Sequence, residues 1–277
     1  MRIKTLLRRA ALVALAVLAV AVAILAVLPR GGDPMPPAAQ DLDTGRHRTV
    51  AVFGATGSVG DGLLKAAVND PEIEKISIVT RRSVPRIEEA VASGKAEMMI
   101  HMDYLDYEPL REMLSEVDTV FWAIGITARA VSKEQYGVIH VDFPMACLKE
   151  WMEVGKEGEL SFHYISGQGA KADSSMHWAR EKARAERALF ELADGTNIRV
   201  ISYRPGAVIH STEMAGFADT VMEFIFEPFK MAVRSTVIGR AMLEVSARGE
   251  QLPHGTILEN RDIRSYGAGY LARVEQP

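Results

Sequence analysis

The chain has 277 residues, 32 of them basic and 36 acidic, for a formal net charge of −4. Seven of the basic and three of the acidic residues fall in the first 48, which leaves 25 against 33 in the remainder; a net −8 without a basic stripe is a poor match to nucleic acid. The single cysteine, Cys147, excludes disulfides within the chain and cysteine zinc sites, and its helical surroundings fit a buried, inert thiol.

At the N-terminus, Arg2, Lys4, Arg8 and Arg9 (segment 1–9) precede an unbroken apolar run from Ala10 to Leu28. That run is long enough to cross a hydrocarbon core as a helix, and longer than the apolar region of a cleaved signal peptide, usually about 7–15 residues. It predicts a single-pass membrane anchor with the lipid bilayer as a partner; the side of the globular part stays open, because Arg30, Arg46 and Arg48 weaken the charge bias. Residues 29–48 are rich in Pro, Gly and charge and read as a linker. Residues 49–277 then make one domain, with enough chain to bury a sizeable core.

The domain opens on Thr49-Val-Ala-Val-Phe-Gly-Ala-Thr-Gly-Ser-Val-Gly60, followed by Leu63, Leu64 and Val68 at helical spacing. Strand, glycine turn and helix in that order bring the backbone N–H groups of a helix N-terminus to a pyrophosphate. Gly54 permits the tight turn, Gly57 lets the backbone approach the phosphates, and Gly60 lets helix and strand pack closely. Ala55, Thr56, Ser58 and Val59 complete the loop.

Further strands are predicted at Lys75–Thr80, Glu97–His101, Thr119–Ile124, Leu160–Ile165 and Ile198–Tyr203, with helices at Met145–Val154 and Ser175–Leu192. Strands separated by helices imply right-handed crossovers, so the fold class is a doubly wound α/β parallel sheet with its chemistry at the strands' carboxyl ends. At the end of the second strand stand Arg81 and Arg82, with no acid. Guanidinium forks suit a 2′-phosphate, which favours NADP over NAD. Asp103, after the third strand, either accepts from an adenine amino group or caps the next helix. Tyr104 is placed beside it. The histidines show no metal-ligand spacing.

Six motifs occur in order: the glycine loop 54–60, Ala123-Ile-Gly-Ile-Thr127, Tyr136 with Val141-Asp142, Ser166-Gly-Gln-Gly-Ala170, Lys182 with Glu186, and Arg204-Pro-Gly206. Together they resemble the atypical, extended-like short-chain dehydrogenase/reductase superfamily over about residues 49–210. The resemblance implies a Rossmann fold with a dinucleotide over Gly54–Gly60 and along Ala123, Ile124 and Gly125. It also implies Ser166 and Lys182 in the active site, and Tyr203, Pro205 and Gly206 near the nicotinamide. One departure stands out. The family's acid/base Tyr, four residues before the Lys, is here Trp178. An indole N–H donates a hydrogen bond but does not exchange its proton near neutral pH. Tyr136, Thr127, Tyr164 and His177 are the other donors within reach of the motifs.

Met214–Val233 is unusually apolar and fits a substrate lid, a core helix or a surface against the membrane. Two functions follow: an NADP-dependent oxidoreductase or epimerase-like enzyme on a small apolar substrate, or a non-catalytic NADP-binding sensor or membrane-tethered assembly partner.

Overall fold

Apolar and β-branched residues form β1 (Thr49–Phe53), and Gly54 ends it with a φ of +88°. The structure, a computed structural model, describes residues 47–211, 216, 226 and 231–274. The chain divides into units Met1–Asp33 and Pro34–Pro277, and every described residue lies in the second. The elements continue as α1 (Ser58–Asn69), β2 (Lys75–Thr80), α2 (Pro85–Ala92), β3 (Ala96–Ile100), α3 (Arg111–Glu116) and β4 (Thr119–Trp122). Next come α4 (Lys133–Gly137), a π-helical turn at Val138–Asp142, α5 (Phe143–Val154), β5 (Leu160–Ile165), α6 (His177–Ala193) and β6 (Ile198–Arg204). The chain closes with β7 (Ala207–Ile209), β8 (Ala232–Arg234), α7 (Ser235–Ala247), β9 (Ile257–Glu259) and α8 (Asn260–Val274).

Seven strands form one parallel sheet in the order β3-β2-β1-β4-β5-β6-β9, while β7 and β8 pair separately. Side chains alternate across the sheet, so both faces need cover. Val50, Val52, Ile76, Ile78, Ile201 and Tyr203 pack on one face with α1, α7 and α8. Ala51, Phe53, Val120, Trp122, Phe162 and Val200 pack on the other with α3, α5 and α6.

The predicted β2 and β5 match residue for residue; β3 begins one residue early and β4 ends two residues early, at Trp122. The last three strands and α7 and α8 are additions to the sequence reading. Each of those strands has only three residues, too few for alternation to register.

The expected membrane anchor needs correcting. Residues 10–28 lie outside the described residues, and among the described residues no helix is long and apolar enough to cross a membrane. The longest, α6, has 17 residues and carries charge along its length, where a span needs about 20 apolar ones. Most of the apolar segment at 214–233 also lies outside the described residues; Gly216, Phe226 and Met231–Val233 are described.

Helices α1 and α7 cross where Gly62 meets Gly239. A Cβ on Gly239 would stand 2.6 Å from Gly62 O and from Leu63 Cα, both backbone atoms with no room to yield. Gly239→Ala is therefore expected to destabilise the domain by about 1–3 kcal/mol, the usual cost of overpacking. Urea unfolding monitored by circular dichroism checks this, and an unchanged midpoint would show a looser crossing.

Candidate functional site

At the carboxyl end of β1 the chain makes a turn that only a residue without Cβ allows. A Cβ on Gly60 would lie 2.2 Å from Gly54 O, so α1 abuts its own preceding strand. Gly57 N donates to Gly54 O at 2.9 Å, and Gly57 caps α1 without a side-chain hydrogen bond, leaving the first-turn N–H groups to a ligand. Beneath the loop, Arg86 Nη2 donates to Thr56 O at 2.6 Å and Arg86 Nε pairs with buried Asp61 at 2.9 Å. Asp61 thus holds the arginine that holds the loop.

A cleft of about 830 Å³ runs from this loop along the strand ends. Gly54, Thr56 and Gly57 form one side, Arg81 and Arg82 stand at the end of β2, and Ala123, Ile124 and Gly125 follow β4. Met102, 68% exposed, and Tyr104, stacked on Phe143, supply flat apolar surface beside the arginines. Cavities of this size, mostly apolar with a few convergent polar groups, suit a cofactor.

A second cavity of about 320 Å³ lies beyond β5, lined by Gly167, Gln168, Trp178, Pro205, Gly206, Ala207, Phe226 and Met231. The six-membered edge of the Trp178 ring lies against the Gly167–Gly169 loop. Because β5 sits between β4 and β6, its carboxyl end stands between the two cavities. Ser166 is there, buried, with a hydroxyl that has no partner among the described residues.

Lys182, on the buried face of α6 and 6% exposed, donates to Ile165 O at 2.7 Å and to the Tyr164 hydroxyl at 3.4 Å. Burial brings its pKa down to about 7, against the opposing charge of Glu186. Glu186 itself is taken by Arg204 (2.6 Å) and Ser202 (2.8 Å). The Tyr164 hydroxyl donates to His140 O at 2.9 Å, and burial pushes that phenol up. His140 sits in the π-helical turn, its ring tilted against Tyr136, with Nε2 at Ile126 O (3.1 Å) and Nδ1 without a partner among the described residues. Burial, then the Lys182 charge, hold it down to about 3; burial raises Tyr136 to about 12. Lys182 alone in this group changes charge near neutral pH.

No protein-family model matches the chain. It is 26% identical over 167 residues to the leucinostatins biosynthesis cluster protein T of Purpureocillium lilacinum, covering 60% of each chain. It is 25% identical over 236 residues to the mitochondrial protein fmp52 of Emericella nidulans, covering 79% of this chain and 98% of that one. Among solved structures it resembles the 3-oxoacyl-(acyl-carrier protein) reductase of Brucella melitensis in complex with NAD, at 17% identity and a TM-score of 0.61 over 79% of this chain and 98% of that one. It also resembles the angucycline C-6 ketoreductase LanV with bound NADP, at 13% identity and 0.61, covering 79% and 95%. The chain has the short-chain dehydrogenase/reductase fold. The resemblance to that superfamily's atypical members, read from the ordered motifs, stands. The localisation does not: the fmp52 relative is named mitochondrial, and no described helix spans a membrane.

Relative to the superfamily's motifs, the structure brings Gly54, Thr56, Gly57, Arg81, Arg82, Tyr104, Ala123, Ile124 and Gly125 to one cleft, and Pro205 and Gly206 to the adjoining cavity. Ala55 and Gly60 are buried beneath the loop; Ser58 and Val59 open α1 and are half-buried. Asp103 is exposed and accepts from Leu105 N at 3.0 Å, closing a turn rather than facing the cleft. Tyr203 is a correction: its ring is fully buried on the α1 face of the sheet, with its hydroxyl 2.7 Å from His163 Nδ1. Strand alternation puts it with Ile201, so only its carbonyl, which accepts from Ser166 N at 2.8 Å, serves the site. His140, Arg86 and Met102 were missed by the sequence reading; the histidine four residues after Tyr136 was the available signal.

Proposed function

We propose that the chain is an NADP-dependent oxidoreductase acting on a small, neutral, apolar carbonyl or alcohol. The observation that carries this reading is a cleft with a glycine loop at one end and paired arginines beside it; at the end of β5, outside the lining of that cleft, stand a buried hydroxyl without a partner among the described residues and a buried lysine. A dinucleotide fits these residues. Its pyrophosphate matches the uncapped N-terminus of α1, its 2′-phosphate Arg81 and Arg82, and its adenine the surface of Met102 and Tyr104. When bound, it supplies or accepts the hydride.

The chain's own side chains do the rest. Ser166 Oγ donates to the substrate oxygen, which answers its missing partner. Trp178 and the apolar lining of the smaller cavity exclude water and hold a flat, uncharged substrate; among the described residues that line it, Gln168 and the Trp178 N–H are the polar groups. With Trp178 where a phenol normally stands, the proton has to come from elsewhere. Tyr164 and Tyr136 hold theirs too tightly, and His140 is held as the neutral imidazole, whose remaining N–H is not acidic, so the Lys182 ammonium is the acid.

A second reading, a dinucleotide-binding protein without turnover, is favoured by Trp178 alone. The same experiments separate the two.

If Arg81 and Arg82 hold a 2′-phosphate, NADPH binds more tightly than NADH, and the double Ala variant erases the difference while keeping NADH binding. Fluorescence titration reads this; equal affinities in the unaltered chain would remove the NADP assignment. If Lys182 is the acid, kcat/KM for reduction of a neutral ketone falls as pH rises through about 7, because the ammonium form is the donor. Trp178→Tyr restores a phenol and should raise the rate by up to about 10²–10⁴-fold, while Lys182→Met abolishes it. A native chain with no turnover that gains it in Trp178→Tyr supports the binding-protein reading.

A further inference from the structure

A second cluster of ionisable groups lies at the opposite end of the sheet. His47 precedes β1, and Asp70 and Glu72 follow the C-terminal end of α1, whose other end meets the glycine loop. His47 and Asp70 are both 0% exposed. One ligand atom from each of His47, Asp70 and Glu72 lies within 4.8 Å of the other two.

His47 Nε2 is 3.8 Å from Glu72 Oε2, too far for a hydrogen bond, and neither ring nitrogen has a partner among the described residues. Asp70 Oδ1 accepts from Glu72 N at 2.9 Å, while Oδ2 has no hydrogen bond. The Tyr270 hydroxyl is hydrogen-bonded to Asp70, and Lys95 Nζ donates to the Asp70 backbone oxygen. Arg273 pairs with Glu72 (2.5 Å) and Glu244 (2.8 Å) and more loosely with Asp70 Oδ2 (3.9 Å); Arg248 also pairs with Glu244, and Asp118 acts on His47 from farther off. Of these carboxylates Asp70 is fully buried and has the longest ion pair.

A buried imidazole normally bonds through at least one nitrogen, and His47 is an exception among the described residues. Its ring nitrogens and Asp70 Oδ2, which lacks a hydrogen bond and is paired only at 3.9 Å, lie in the same small space as the Glu72 carboxylate.

We propose that His47, Asp70 and Glu72 bind a divalent transition cation, Zn²⁺ in preference to Mn²⁺, with Arg273 as the outer partner of Glu72. One imidazole and two carboxylates are a ligand set for such ions, and an outer-shell hydrogen bond to a ligating carboxylate fixes its orientation. Tetrahedral Zn²⁺ at about 2.1 Å holds its ligand atoms about 3.4 Å apart, so the side chains close by about 1 Å. The ion ties the start of β1 to the α1–β2 connection, and through Arg273 to α8. Its role is structural, since the cleft lies at the other ends of β1 and α1. Spacing along the sequence gives no hint of it, because the ligands are 23 and 2 residues apart in a pattern no metal motif uses.

The test uses the full chain after removal of metal with a chelator. Calorimetric titration with Zn²⁺ alone should show one site, and the thermal midpoint should rise with Zn²⁺. Asp70→Asn and His47→Gln should each weaken that site at least tenfold and cancel the thermal shift, with NADPH binding serving as the check that they fold. Tighter binding of Mn²⁺ would overturn the choice of ion. No binding to the unaltered chain, or equal binding in both variants, would overturn the site.

Discussion

The close approach of α1 to the end of β1 is the constraint on which the rest of the structure depends. With hydrogen at Gly60, the helix sits against Gly54 O and its first N–H groups point along the strand ends. That placement sets the mouth of the cleft, and it carries Gly62 to the crossing with Gly239 that docks α7. Asp61, in the same first turn, is drawn into the interior and is matched by Arg86, which in turn fixes Thr56. A methyl group at position 60 would disturb the phosphate loop, one sheet face and a buried ion pair together.

The chemistry depends on a second constraint, the burial of Lys182 between β5 and the π-helical turn. An ammonium kept from water by Tyr164, Ile165 and its own helix gives up its proton at about pH 7, well below the usual lysine range. Trp178 cannot transfer a proton, and its ring instead lines the cavity beyond β5 with Phe226 and Met231.

Much of this was legible in the residues. The strand–turn–helix at the glycine loop and the strands at 75–80 and 160–165 are local signals, each set by neighbours within a few positions, and they form as the sequence predicts; Arg81 and Arg82 stand at the end of β2 and line the cleft. Tyr203 was misplaced because a strand residue's face depends on register with its neighbours, which a motif does not encode. His140 escaped because the groups that give it a place in the site, Ile126 and Lys182, come from distant parts of the chain, and its spacing from Tyr136 alone says nothing of them. Asp61 and Arg86 meet across 25 residues, and nothing in either local sequence announces the pair.

The measurement that bears most directly on the site is a crystal structure of the chain with NADPH. The expected result places the pyrophosphate on the N–H groups of Gly57 to Gly60, the 2′-phosphate between Arg81 and Arg82, and nicotinamide C4 facing the space shared by Ser166 Oγ, Lys182 Nζ and the Trp178 ring. A nicotinamide turned away from Ser166 and Lys182, or a cleft that takes up no dinucleotide at saturating concentration, would contradict it.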